Sequence, residues 1–101
     1  MLLTQQNLAE MVKQAMQEKA PRMFKELTAE GILDSVAQDR ADAALETMDH
    51  LLHQAIDRVA TSKASEMDRI QMGFQMQREA RQAAINQATE FKETTLLPQE
   101  V

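Results

Sequence analysis

The residues best suited to chemistry in this chain are four potential metal ligands on one predicted helix. They are Glu46, His50, His53 and Asp57. Their spacings of four, three and four would project all of them to one side of an α-helix. Imidazole and carboxylate groups at such spacings can bind Zn²⁺ or another divalent cation, but a single helix rarely closes a coordination sphere. The simpler interpretation is a solvated acidic stripe, and an acidic docking face for a basic partner is a third.

A narrow seam in the C-terminal third is better suited to meeting another helix than to catalysis. Its residues recur at alternating spacings of three and four, as in a heptad repeat. They are Met67, Ile70, Phe74, Gln77, Arg81, Ala84, Ala88 and Phe91. A second apolar strip on the same helix, displaced from the seam, contains Met72, Met76, Ala80 and Ala83. We therefore predict an interaction surface made of Met67, Ile70, Met72, Phe74, Met76, Gln77 and Arg81.

Two polar residues interrupt the seam and admit two interpretations. In one, Gln77 and Arg81 form a buried polar layer that sets register, with Arg81 bonded to Glu46, to Asp42 or to a carboxylate of another subunit. In the other, the aliphatic part of Arg81 lies along the edge of the helix pair and its guanidinium reaches water. Gly73 lies inside the same predicted helix at a cost of about 1 kcal/mol relative to Ala, which indicates a kink or the close approach of a second helix.

The composition disfavours enzymes and nucleic-acid binders. The 101 residues contain no Cys, and we find neither a Gly-rich phosphate loop nor a nucleophile paired with a base, so we predict no catalytic residue and no cofactor. A net charge of −5 opposes binding to a phosphate backbone. A small DNA-associated regulator stays an alternative because of one small basic patch. Its members are Lys13, Lys19, Arg22 and Lys25.

Apolar periodicity predicts an all-α, four-helix-bundle-like fold in one domain, residues 1–101. A pair of short helices occupies 1–31, where Thr4 caps the first helix, Pro21 begins the second and Gly31 ends it. A long antiparallel hairpin of helices at about 33–60 and 66–94 occupies 32–95 and precedes a tail, 96–101. One continuous bent helix is the alternative to the hairpin.

A fold-back about residues 62 and 63 also predicts which side chains face each other across the hairpin. Phe74 then meets Leu51 or Leu52, and Ile70 meets Ala55. Small residues meet further from the turn, where Ala84 faces Ala41 and Ala88 faces Ala37. Large side chains thus lie together near the turn and alanines lie together near the open end.

The function predicted from these patterns is a non-enzymatic protein–protein interaction module, such as an adaptor, a small chaperone or a regulatory subunit. We expect it to act through self-association and a Met/Ala-rich helical surface, with a homodimer favoured and a further protein partner of unknown identity. The alternatives are a metal- or small-ligand-binding bundle and the DNA-associated regulator. The N-terminus resembles no targeting leader and no apolar run is long enough for a membrane span, so we expect a cytoplasmic protein without a membrane partner.

Overall fold

Residues 3–91, which a computed structural model describes, fold as four α-helices. The helices are α1 (Gln5–Lys19), α2 (Pro21–Glu30), α3 (Leu33–Thr61) and α4 (Glu66–Thr89). The predicted all-α fold, two short helices followed by a long antiparallel hairpin, is confirmed. Residues 92–101, which include the predicted last turn of the fourth helix and the tail, lie outside the described residues.

The helix boundaries follow from capping residues that the sequence identifies. Thr4 caps α1, because its hydroxyl oxygen accepts a hydrogen bond of 3.1 Å from the backbone N–H of Asn7. Pro21 occupies the first turn of α2, and Gly31 ends that helix in the left-handed conformation with φ of 76°. Ser65 caps α4 by accepting from the backbone N–H of Asp68 at 3.2 Å. The cap at Ser65 separates α3 from α4, so the two form a hairpin rather than one bent helix.

The core lies where α1 packs onto one end of the hairpin. Large side chains of α1 meet alanines of α3 and α4, and all are fully or almost fully buried in one cluster. Alanine at a helix contact lets the helix axes approach closely, so the large residues of one helix fill the space. The buried members are Leu8, Ala9, Val12, Met16, Ala20, Ala37, Ala41, Ala44, Ala84 and Ala88.

Two polar contacts show in which direction α1 runs on the hairpin and how far it extends. The side-chain amide of Gln5 donates to Asp42 at 2.7 Å, and the ammonium of Lys13 donates to Asp34 at 2.7 Å. Since Gln5 pairs with the later acid and Lys13 with the earlier one, α1 runs antiparallel to α3. The 15 residues of α1 span about 22 Å, against about 44 Å for the 29 residues of α3.

The hairpin therefore has two parts of different thickness. We call residues 33–48 and 80–91 the root, which α1 and α2 cover. We call residues 49–79 the tip, which consists of α3, α4 and the turn between them. The described residues extend over 55 × 31 × 17 Å, as expected when two long helices project beyond two short ones.

Arg40 joins the two helices at the root. Its Nε donates to the backbone carbonyl of Ala88 at 2.8 Å, and its Nη2 donates to the carbonyl of Glu90. Its guanidinium carbon lies 4.2 Å from the ring centroid of Phe91, in the range of a cation–π contact. Burial lowers the pKa of Arg40 below its ordinary value. These contacts set the start of α3 beside the end of α4, as the antiparallel hairpin requires.

None of the helices within residues 3–91 combines the length and the apolar character that crossing a membrane requires.

Candidate functional site at the tip of the hairpin

The tip carries most of the exposed large apolar side chains of the described residues. Four of them lie there: Ile56 is 63% exposed, Met67 66%, Ile70 51% and Phe74 57%. A fifth, Ile32, is 42% exposed at the joint between α2 and α3. Scattered single apolar residues are normal on a protein surface, but a contiguous group indicates a binding site.

A simple hairpin would bury the seam of α4 against α3 and leave the second apolar strip exposed. At the tip the burial of the two strips is reversed. At the tip, Met72 and Met76 of the second strip are half-buried, whereas Ile70 and Phe74 of the seam face solvent. A strict heptad seam drifts by about 20° per heptad around a straight α-helix, so one straight neighbour cannot face its whole length. The seam is therefore buried at the root and exposed at the tip.

The residues predicted to face each other across the hairpin are buried at the root and exposed at the tip. Ala41 and Ala84 are fully buried in one cluster, as expected for residues that face each other. Ile70 and Phe74 are not buried against α3, because each is more than half exposed. Among the described residues only α3 lies beside α4 at the tip, and the half-buried side of α4 there is the side of Met72 and Met76.

A groove runs between α3 and α4 on the exposed face of the tip. It has a volume of about 400 Å³ and adjoins a second depression of about 520 Å³ toward the turn. Val59, Gly73 and Gln77 line both, which makes the two depressions one continuous surface. We call this surface the tip face. Its further members are Leu52, Ala55, Ile56, Ala60, Glu66, Arg69, Ile70 and Phe74.

Gly73 lies at the centre of the tip face. A Cβ atom built on it would meet nothing within 4 Å, so no contact among the described residues requires a glycine there. Glycine in a helix interior destabilises the helix by about 1 kcal/mol relative to Ala. The close approach predicted from the sequence therefore involves no neighbour among the described residues, and the kink stays a prediction.

The polar residues of the seam do not form a layer within the chain. Gln77 is exposed, and Arg81 is half-buried with its Nε inaccessible to water and without an acceptor among the described residues. No hydrogen bond or ion pair between the described residues joins Arg81 to Glu46 or to Asp42; Asp42 accepts from Gln5 instead. An acceptor on another subunit, the remaining option of that interpretation, is untested.

The predicted metal ligands do not assemble into a site. Among residues 3–91, no three His, Asp or Glu side chains are placed to hold a metal ion. Glu46, His50 and His53 border one open surface depression, which Asp57 does not line. The stripe instead makes local contacts along α3. The ring Nδ1 of His53 lies 2.8 Å from the backbone carbonyl of Asp49, and this hydrogen bond and the nearby Asp49 charge raise the pKa of His53.

Half of the predicted basic patch serves to hold the root together. The Lys13 ammonium binds Asp34 at 2.7 Å and Glu10 at 3.0 Å, which raises the pKa of Lys13. The Lys19 ammonium donates to the carbonyl of Thr89, the last residue of α4, at 3.0 Å. A cation at this helix end also interacts favourably with the helix dipole. These contacts give Lys13 and Lys19 structural roles and so weaken the nucleic-acid interpretation.

Sequence reasoning overlooked two of the residues that define these features. Arg40 has no signal in the apolar periodicity, because its role depends on carbonyls of a helix 48 residues away. Ile56 fits the apolar periodicity of α3 and has the pattern of a core residue, yet it is 63% exposed because α1, which begins at Gln5 beside Asp42, does not extend to it.

Comparison with protein-family models, curated proteins and solved structures finds no match for this chain.

Proposed function

We propose that this chain is a non-enzymatic protein–protein interaction module whose binding surface is the tip face. The observation that carries the proposal is the exposure of Ile56, Ile70 and Phe74 on a two-helix projection. Removing a large apolar side chain from water is worth about 1.5–3 kcal/mol when it is complete. A partner that covered these three together with Met67 would gain several such contributions.

The chemical character of the tip face supports binding rather than catalysis. Aliphatic, aromatic and amide side chains form its centre, and such groups bind apolar surface without acid–base chemistry. Charged groups, Glu66 and Arg69, lie at its margin toward the turn. An apolar centre with a polar rim is the arrangement of most protein interfaces. An adaptor, a small chaperone or a regulatory subunit would use such a surface, and the expected cytoplasmic location belongs to the same proposal.

Site-specific photo-crosslinking tests the proposal directly. A benzoylphenylalanine in place of Phe74 is compared with one in place of Gln82, an exposed residue about two turns further along α4 and outside the tip face. The variants are irradiated both as purified protein and in extracts of the cells that produce the chain. We expect covalent protein adducts from position 74 and few from position 82. Equal yields at the two positions, or no adduct at either, would contradict the proposal.

A further inference from the structure

We infer that the tip face binds the tip face of a second copy of this chain, antiparallel and face to face, so that each α4 crosses its counterpart near Gly73. The inference rests on the proposed function and adds the identity and orientation of the partner. Two copies docked in this way form a four-helix bundle from their tips, while each root keeps its own α1 and α2. Three observations carry the inference: the continuity of the packing surface, the charges along α3 and α4, and the unexplained glycine.

The tip face is the continuation of a surface that α1 already covers. At the root, Ala84 and Ala88 lie on the seam of α4 and are buried in the cluster with α1. At the tip, Ile70 and Phe74 lie on the same seam and are exposed. Because α1 begins at Gln5, nothing in the described chain extends that packing toward the turn. The missing occupant is therefore an apolar helical surface, which a second tip provides.

The length of α1 permits the antiparallel orientation and blocks the parallel one. Ile56 and Gly73 line the same groove and mark the middle of the tip face. The turn lies about 10 Å beyond that middle, so the partner's turn would reach the level of Asp49 and Ala80. It would stop short of Asp42, where α1 begins with Gln5. In a parallel dimer the two α1 helices would collide.

Charges along α3 are complementary in this register. Asp49 lies seven residues before Ile56, and Lys63 lies seven residues after it. When two α3 helices cross antiparallel at Ile56, each Asp49 comes level with the partner's Lys63. Asp49 and Lys63 are both exposed in the isolated chain, so neither is committed to its own core.

Charges along α4 follow the same rule. Glu66 lies seven residues before Gly73, and Arg78 and Arg81 lie five and eight residues after it. An antiparallel crossing at Gly73 places each Glu66 level with the partner's segment between these two arginines. This brings the partner's Glu66 carboxylate level with the half-buried Arg81, whose terminal guanidinium nitrogens are then the donors because its Nε is shielded by the chain itself.

The open space around Gly73 fits a helix crossing. Helix axes come closest where a residue without Cβ lies at the contact point, and this gain can offset the cost of glycine in the helix. No neighbour within the described residues uses the space beside Gly73. In the antiparallel dimer, the partner's α4 occupies it.

A charge exchange tests both partner and orientation. Asp49 and Lys63 are fourteen residues apart along one hairpin arm, about 20 Å, so they cannot interact within a chain. The dimer dissociation constant is measured by sedimentation equilibrium at pH 8 and low salt for the wild type, Asp49→Lys, Lys63→Asp and the double variant. We expect a dimeric wild type, with each single change weakening it about tenfold by creating two like-charge contacts. The double variant should return to within about threefold of the wild type.

Two further variants complete the design. Asp39→Lys makes the same charge change at an exposed site of the root and should leave the dissociation constant unchanged. Ile56→Asp, at a side chain that is 63% exposed in the isolated chain, should give a folded monomer with unchanged helical circular dichroism.

A wild-type chain that is monomeric at every concentration would overturn the inference. So would a dimer whose dissociation constant is unchanged by the single charge changes, or one that the double change does not restore. These results are distinguishable from failure of the proposed function. If crosslinks from position 74 capture a different protein while the chain is monomeric, the tip face remains an interaction surface and only the second copy is wrong as its partner.

Discussion

Single side chains in this molecule carry two kinds of role, holding the root together and shaping the tip. Arg40 belongs to the first kind, since it binds carbonyls at the end of α4 and contacts the Phe91 ring. Ile56 belongs to the second, because it faces solvent although its position in the periodicity suggests a core residue. Substitutions at the two sites should therefore affect different measurable quantities, folding stability in one case and association in the other.

Replacing Arg40 should destabilise the folded chain. Arg40→Met keeps the aliphatic length but removes two hydrogen bonds to carbonyls and the cation–π contact. We expect a loss of about 1–2 kcal/mol in the free energy of unfolding, measured by urea denaturation. Arg58→Met removes an exposed arginine of the same helix and should change stability by less than about 0.5 kcal/mol. Equal losses in the two variants would show that the Arg40 contacts add nothing.

His53 should titrate above its ordinary pKa of 6.5. The hydrogen bond to the backbone carbonyl of Asp49 comes first among the causes and the carboxylate charge of Asp49 second, so Asp49→Asn should lower the pKa only partly. Because the folded-state pKa is raised, the stabilising effect of protonation is fully present below about pH 6.5 and is lost as the pH rises through the folded pKa. The measurement is an NMR titration of the imidazole protons. A His53 pKa that is the same in the variant would exclude the carboxylate as a cause.

At the scale of elements, the sequence predicts what depends on local chemistry. Thr4, Pro21, Gly31 and Ser65 act through atoms only a few residues away, so their types and spacing reveal the four helices. The antiparallel hairpin also follows, because a break at residues 62–65 leaves two long amphipathic helices that must fold back. Apolar periodicity does not predict how far α1 extends along the hairpin, and therefore how much of the α4 seam it covers.

The exposure of the seam at the tip illustrates that limitation. Ile70 and Phe74 have the spacing of buried seam residues, and they would be buried if α1 extended along the whole hairpin. The distinction between core and exposed apolar surface depends on where Gln5 lies relative to α3, a tertiary fact that its hydrogen bond to Asp42 reveals. The metal-ligand pattern was ambiguous for a related reason, because helical spacing shows a shared side but not a closed set of ligands.

Gly73→Ala should have opposite effects on folding and on association. Alanine is a better helix former and its Cβ meets no neighbour among residues 3–91, so the monomer should gain about 1 kcal/mol in stability. The same methyl group would separate two helices that cross at Gly73 and should weaken the dimer. Urea denaturation at a concentration that favours monomer measures the first effect, and sedimentation equilibrium the second. Gln75→Ala, at an exposed position two residues along the same helix, is the matched control. A Gly73→Ala protein that is both more stable and equally dimeric would contradict the crossing at this residue.

The whole molecule combines a thick root with a thin tip, and local stability should follow that division. The root buries a cluster contributed by α1, α3 and α4, whereas the tip is two helices with one exposed side. Regions with few buried apolar contacts open more easily.

Backbone amides at the tip should therefore exchange with deuterium faster than those at the root in dilute protein. We expect the mean protection of residues 52–60 and 67–77 to fall below that of residues 37–45 and 80–88, as measured by hydrogen-exchange mass spectrometry. Raising the protein concentration through the dimerisation range should increase protection at the tip while leaving the root unchanged. Uniform protection along both arms at low concentration would contradict the two-part description.

Because α1 covers only the root, the residues that stabilise the fold are separate from the residues of the exposed apolar surface. In most small domains the two sets overlap. The buried cluster that stabilises the fold lies at the root, and the proposed binding surface lies about 20 Å away at the tip. Tip residues could then change over generations, or by design, without loss of the root fold. Variants that share the root could be designed to dimerise with different partners. Exchanging a few charged residues along α3 and α4 of the tip would set which variants pair.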